Sequence, residues 1–295
     1  MATTSTSVVL PGQVSLPASA GRASFMGAVR SEFTKIRSVR STYWTLIVLV
    51  LVTVGIGALA GFAATRNPQG PGFDATQASL GGLYLSQLII AVLGVLVISA
   101  EYSSGMVRTT LTTFPYRGTI IAAKALVFGA VAFVTGLVTC FISFFVGQAI
   151  MSTYNPSTLP GHQHVQVLGG AVRHISASIG DPNVLRAIIG GALFVTVSGL
   201  LAFGIGLLLR HTAGAITTVV GLLFVLTILI NLLPSSWLNH VDKWMPAVAG
   251  TQIWTTVANH GNPPVFAPWT GFLVFAIYAA VAVIAGSILF RTRDA

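Results

Sequence analysis

Six long apolar stretches punctuate the chain, at roughly Tyr43–Ala64, Leu80–Ala100, Thr119–Ile150, Val184–Leu209, Thr212–Leu233 and Trp269–Phe290. Each holds about 20 or more mostly apolar residues, enough to cross a hydrocarbon layer of ~30 Å at ~1.5 Å per helical residue. Lipid offers no water to backbone amides, so such stretches must be helices, which satisfy those amides internally. The expected fold class is therefore an all-α integral membrane protein with six transmembrane helices. Only 7% of residues are charged and mean hydropathy is +0.85, against about 25% charged in a soluble domain. Six spans and their loops nearly consume the chain, leaving no room for a soluble catalytic domain. The single cysteine, Cys140, lies inside the third span and reads as a small packing residue.

The formal charge of +9 is placed as a topology signal. Arg22, Arg30, Lys35, Arg37 and Arg40 precede the first span, and Arg108, Arg117 and Lys124 surround the loop after the second. Arg210 sits in the tight fourth turn, and Arg291 and Arg293 follow the last span. Arg66, Arg173, Arg186 and Lys243 fall on the opposite side. Counting basic residues near span ends puts both termini in the cytoplasm, N-in and C-in, in a multi-pass protein of the cytoplasmic membrane. No nucleic-acid partner is expected from this distribution.

Residues 1–23 are rich in Ala, Ser, Thr and Pro and lack the apolar core of a secretory signal, so they read as a disordered cytoplasmic tail. Residues 24–42 differ. Phe25, Val29, Phe33, Ile36, Val39 and Tyr43 recur at spacings of three and four, one apolar stripe on a helix that Ser24 can cap. Such a helix lies on the cytoplasmic membrane face before the chain turns inward, with membrane lipid as its partner. Lys35 and Arg40 flank the stripe, and Arg30 and Arg37 sit off it. The plain alternative is a polybasic anchor.

The loop after the second span reads Glu101-Tyr102-Ser103-Ser104-Gly105-Met106-Val107-Arg108, followed by Pro115-Tyr116-Arg117. A carboxylate where a span leaves the membrane is costly against lipid, so Glu101 must meet water, a basic group or protein. Gly105 permits a tight turn and Arg108 can make charge-assisted hydrogen bonds. A short loop of this kind has the build of a docking surface; alternatively, Glu101 and Arg108 simply pair at the membrane surface.

Taken with the basic stretch Ser31–Thr42, this loop resembles that of the permease subunit of type 2 ABC exporters, most closely small actinobacterial permeases, over about Ser24 to Arg293. The resemblance implies that residues 24–42 form an amphipathic connecting helix and residues 43–293 a six-span permease domain. It implies that the loop between spans 2 and 3 is a coupling helix docking onto a separate nucleotide-binding ATPase. Glu101, Tyr102, Gly105 and Arg108 would then face that ATPase, helped by Lys35, Arg37 and Arg40 of the connecting helix. It also implies a second copy of this chain or a related permease, and a re-entrant segment before span 6.

No Gly-x-x-x-x-Gly-Lys-Ser/Thr phosphate loop occurs, so this chain reads as a non-catalytic subunit without a cofactor of its own. ATP and Mg would be bound by the partner subunit. Gly57 and Gly61 form a small-xxx-small pattern in the first span, a candidate for packing between two copies. His162 and His164 lack the company a metal site needs, so no metal is expected. Trp237, Val241, Trp244 and Met245, then Ile253, Trp254 and Val257, mark the segment before span 6 as re-entrant or as an interfacial anchor. A secondary transporter or channel not driven by ATP is the alternative reading, but it usually needs ionisable groups near the bilayer midplane. Lys124 and Arg186 are near span ends, and the spans hold no catalytic motif.

The topology is testable in cells carrying single cysteines on a Cys140→Ser background. An impermeant thiol reagent should label position 164 but not position 108 in intact cells; the reverse pattern would overturn the assigned orientation.

Overall fold

The computed structural model describes residues 24–66, 73–103, 117–153, 176–230, 232, 234, 238, 240–257 and 265–292, all helical or connecting, with no strand among them. Helix α1 runs Phe25–Ser38 and α2 runs Arg40–Arg66. A short helix α3 (Ala75–Ser79) precedes α4 (Leu83–Ser103), and α5 runs Arg117–Ser152. Helix α6 runs Val184–Leu209 and α7 Thr212–Ile230, the latter with a π turn at Gly221–Val225. Helix α8 (Pro246–Thr251) lies between 3₁₀ turns at Asp242–Trp244 and Gln252–Trp254, before α9 (Pro268–Thr292). Helices α2, α4, α5, α6, α7 and α9 are the six that are long and apolar enough to cross a membrane. This is a multi-pass membrane protein.

Helix α6 is the centre. In its most apolar stretch 72% of residues are buried, against 22% for α2, α7 and α9, so the others surround it. Lipid tails are as apolar as leucine, and helices in lipid associate chiefly through close packing that small residues permit. Gly199 and Gly94 bring α6 and α4 so near that a Cβ on Gly94 would strike the Gly199 carbonyl. On the opposite flank, a Cβ at Gly204 would meet the backbone of Ala282 and Val283 in α9. Phe128 of α5 and Phe203 of α6 stack with centroids 6.2 Å apart. Cys140 is fully buried, in keeping with a packing role.

The second span does not begin as one continuous helix at Leu80. Residues Ala75–Ser79 form α3, and a turn at Leu80–Gly82 leads into α4. This piece dips into the bundle: Gly82 lies against the backbone of Thr53, which is roughly 20 Å below the Arg66 end of α2 at the helical rise. Irregular backbone at that depth is tolerated only where protein satisfies it. Ser143 of α5 donates to the Ser79 carbonyl at 2.6 Å, and Gln148 Nε2 donates to Ala75 O at 3.0 Å and Ser79 Oγ at 2.8 Å. Gln148 Oε1 in turn accepts from the amide of Ala177 at 2.6 Å. Thr53 and Ser86 hydrogen-bond to each other beside them.

Gly57 and Gly61 are occupied within the chain. A Cβ on Gly57 would collide with the Ser79 carbonyl and come within 2.5 Å of Ser143 Oγ, and one on Gly61 would approach the Gly147 carbonyl to 3.0 Å. Within the chain, the close approach they permit is to α3 and α5.

Gly55 supplies an internal control, since a Cβ there would meet nothing within 4 Å. Gly57→Leu should lower stability by about 1–3 kcal/mol or more through overpacking, whereas Gly55→Leu should stay within about 0.5 kcal/mol. Thermal unfolding of the two variants in detergent checks this; equal stability would contradict the packing described.

Candidate functional site

Helix α1 packs on α5, and most of the apolar stripe is not the face it offers. Phe25, Phe33, Val39 and Tyr43 are each about half exposed, while Ala28 and Glu32, one turn apart, are buried. Four residues of the stripe thus stay exposed, Val29 and Ile36 are partly buried with Ile36 packed against the core, and the turn-spaced pair Ala28/Glu32 is the most buried part of the helix. Ser24 caps the helix, its Oγ accepting from the Gly27 amide at 3.1 Å. Val39, in extended conformation, separates α1 from α2.

Glu32 is the residue that this arrangement singles out. It is 3% exposed and Lys124, seven residues into α5, is 4% exposed. Lys124 Nζ donates to Glu32 Oε2 at 2.5 Å, and Lys35 Nζ, one turn further along α1, donates to Oε1 at 2.8 Å. Both carboxylate oxygens are engaged by cations, the condition under which a buried charge is tolerated. The triad spans 92 residues of sequence and fixes α1 to the beginning of α5.

Lys35 therefore belongs to this triad and is only partly exposed, while Arg37 and Arg40 are exposed at the end of α1 and the start of α2. Glu101 and Tyr102 stand in the last turn of α4, but their side chains, like all of Gly105 and Arg108, lie outside the described residues. So do the expected tail 1–23 and His162, His164 and His174. The loop of interest thus leaves α4 at Ser103 and returns at Arg117, the start of the helix that carries Lys124.

The opposite pole is closed by a second buried carboxylate. Asp74 caps α3 by accepting from the Gln77 amide at 2.8 Å. It also accepts from Thr256 N at 2.5 Å, Thr256 Oγ1 at 2.6 Å and Val257 N at 2.9 Å. One side chain thereby ties the piece before α4 to the piece before α9. In the first turn of α6, Arg186 donates to the carbonyls of Ile253 and Thr255 at 3.3 and 2.7 Å. Ile253 and Trp254 are fully buried, the Trp254 ring meeting Tyr84 edge-on at 5.1 Å. They are core residues, whereas Trp244 and Val257 are exposed. An open cavity of about 520 Å³ adjoins this cluster, with Arg186, Thr256 and Trp269 in its wall.

Sequence reading passed over Glu32, Asp74, Ser143 and Gln148. The available signal was simply that carboxylates and amides flanking or inside apolar stretches are costly unless paired.

Truncating one member of the Glu32–Lys124 pair should cost about 3–5 kcal/mol, because the survivor stays buried without its partner. Glu32→Gln and Lys124→Met should each destabilise strongly, and the double variant should cost less than their sum by about 1 kcal/mol or more. A double-mutant cycle of unfolding in detergent measures this; additive, sub-kcal effects would show that the pair is not buried.

No curated protein matches the chain. Residues 28–174, from within α1 through α5 and so across both partners of the Glu32–Lys124 pair, match the model of the ABC-2 family transporter protein family. That similarity supports an ABC-2 type permease, the membrane component of an ABC transporter.

Proposed function

We propose that this chain is the transmembrane permease subunit of an ATP-driven ABC exporter of the cytoplasmic membrane, coupled to a separate ATPase that binds ATP and Mg. The observation that carries the reading is the buried triad of Glu32, Lys35 and Lys124, which joins α1 to the start of α5. Force applied to the loop between Ser103 and Arg117 would reach α5 and, through the triad, α1 together. In this reading Glu101, Tyr102, Gly105 and Arg108 form the ATPase-facing surface, and the exposed Arg37 and Arg40 assist.

The mechanism is alternating access. ATP biases the ATPase pair toward one of two arrangements, and the loop transmits that bias to the spans, since a ligand of equal affinity for both states shifts nothing. The pathway lies between this chain and a second copy or related permease. Its substrate is hydrophobic or amphiphilic. The reading draws support from spans whose described interior polar groups are mainly Ser, Thr and Gln, with Glu32 and Lys124 satisfied by each other near one end.

Two variants test it. Glu101→Ala and Arg108→Ala should each weaken copurification of the ATPase, or uncouple hydrolysis from transport, with a loss of about 2–5 kcal/mol if the pairing with the partner is buried. The purified chain alone should hydrolyse no ATP. Hydrolysis by the isolated chain, or wild-type assembly and transport by both variants, would refute the assignment.

A further inference from the structure

The cavity beside Arg186 belongs to a single copy of the chain and lies at the pole opposite the Glu32 triad. At about 520 Å³ it falls within the range of small-molecule sites. Its wall carries one charge, the Arg186 guanidinium, and no carboxylate among the described lining residues. The nearby carboxylate, Asp74, is 9% exposed and engaged by Gln77, Thr256 and Val257 instead of lining the cavity.

Arg186 is held in place by two carbonyls and attracted by the nearby Asp74 carboxylate, which accepts hydrogen bonds from Gln77, Thr256 and Val257. A guanidinium has five N–H donors; Nη1 gives one to Ile253 O and Nη2 one to Thr255 O. Three donors have no partner among the described residues, and the two bonded ones fix the plane of the group. A planar, fixed guanidinium matches the paired oxygens of a phosphate or carboxylate better than a point charge does. A second cation stands close by, as Lys243 Nζ lies 5.7 Å from the centre of the Phe266 ring, and Phe266 lines the cavity.

The other walls are mixed, with Asn183, Gln252, Thr255 and Thr256 beside an apolar side made by Val265, Phe266 and Trp269. Trp269, in the first turn of α9, is 59% exposed and Val257 is 41% exposed. Tryptophan at the end of a spanning helix marks the boundary between headgroups and acyl chains. A ligand whose anion sits on Arg186 therefore has its apolar part beside Trp269 and Phe266, in reach of lipid.

From this geometry we infer that the cavity is a binding site for the anionic headgroup of a membrane amphiphile, with a phosphate diester on Arg186 and the acyl portion against Trp269. The site requires no ATPase and holds whether or not the chain is driven by one.

The full chain, purified in a non-ionic detergent, is titrated with brominated phosphatidylglycerol or brominated phosphatidylcholine while tryptophan fluorescence is followed. Phosphatidylglycerol should quench saturably at a concentration about tenfold or more below phosphatidylcholine. Trp269→Phe should remove most of that saturable quenching, and Arg186→Gln should bring phosphatidylglycerol to the phosphatidylcholine level. Arg186→Lys, which keeps the charge and loses the fork, should fall between. Inorganic phosphate should compete only at about tenfold higher concentration or more. Equal quenching by the two lipids in the unmodified chain would overturn the site, and this arm stands even if Arg186→Gln fails to fold. Unchanged lipid selectivity in Arg186→Gln would also overturn it. Competition by inorganic phosphate at the lipid's own concentration would replace the amphiphile with a free anion, and so contradict the proposal.

Discussion

A buried carboxylate engaging donors from a distant stretch of chain secures each end of the helical bundle. At one pole Glu32 takes Lys124 and Lys35; at the other Asp74 takes Thr256 and Val257. An apolar surrounding penalises an ionised carboxyl by several kcal/mol, so each carboxylate stays only while its partners do. That makes the two clusters conditional joints. They hold α1 to α5 and the α3 piece to the segment before α9 for as long as the packing keeps donors and acceptor together.

Between the joints the structure relies on contact instead of charge. Glycines let α6 touch α4 and α9 backbone to backbone, and the short α3 enters the bundle because Ser143 and Gln148 of α5 satisfy its end. Helix α5 thus takes part in both kinds of contact: it carries Lys124 near its beginning and the Ser143–Gln148 pair near its end. A displacement at the Arg117 end of α5 is mechanically connected to α1 through Glu32, and to the α3 piece through Ser79.

The spans were legible because apolar length is a property of single stretches, and α6 matches its sequence bounds at Val184 and Leu209. The start of the second span was not, because Ala75–Ser79 reads as a short polar loop and becomes helical only against Ser143 and Gln148. Glu32 hid among the basic residues of an amphipathic segment. Its meaning depends on Lys124, 92 residues away, a pairing that no local periodicity contains. Gly57 and Gly61 show the converse. Their spacing correctly signals close approach, but spacing alone does not say whether the approaching helix belongs to the same chain. The π turn at Gly221–Val225 left no apolar signature either, since hydropathy is blind to one extra residue in a turn.

In the proposed function the charge pair between α1 and α5 transmits motion as well as stabilising the fold. Exchanging its charges tests this most directly, because Glu32→Lys combined with Lys124→Glu keeps two cations and one anion in the triad. In the assembled complex with its ATPase, each single reversal should lower substrate-stimulated ATP hydrolysis by about tenfold or more, and the exchange should recover most of it, at matched amounts of folded protein. Single reversals that fold and hydrolyse ATP with wild-type stimulation would contradict the account.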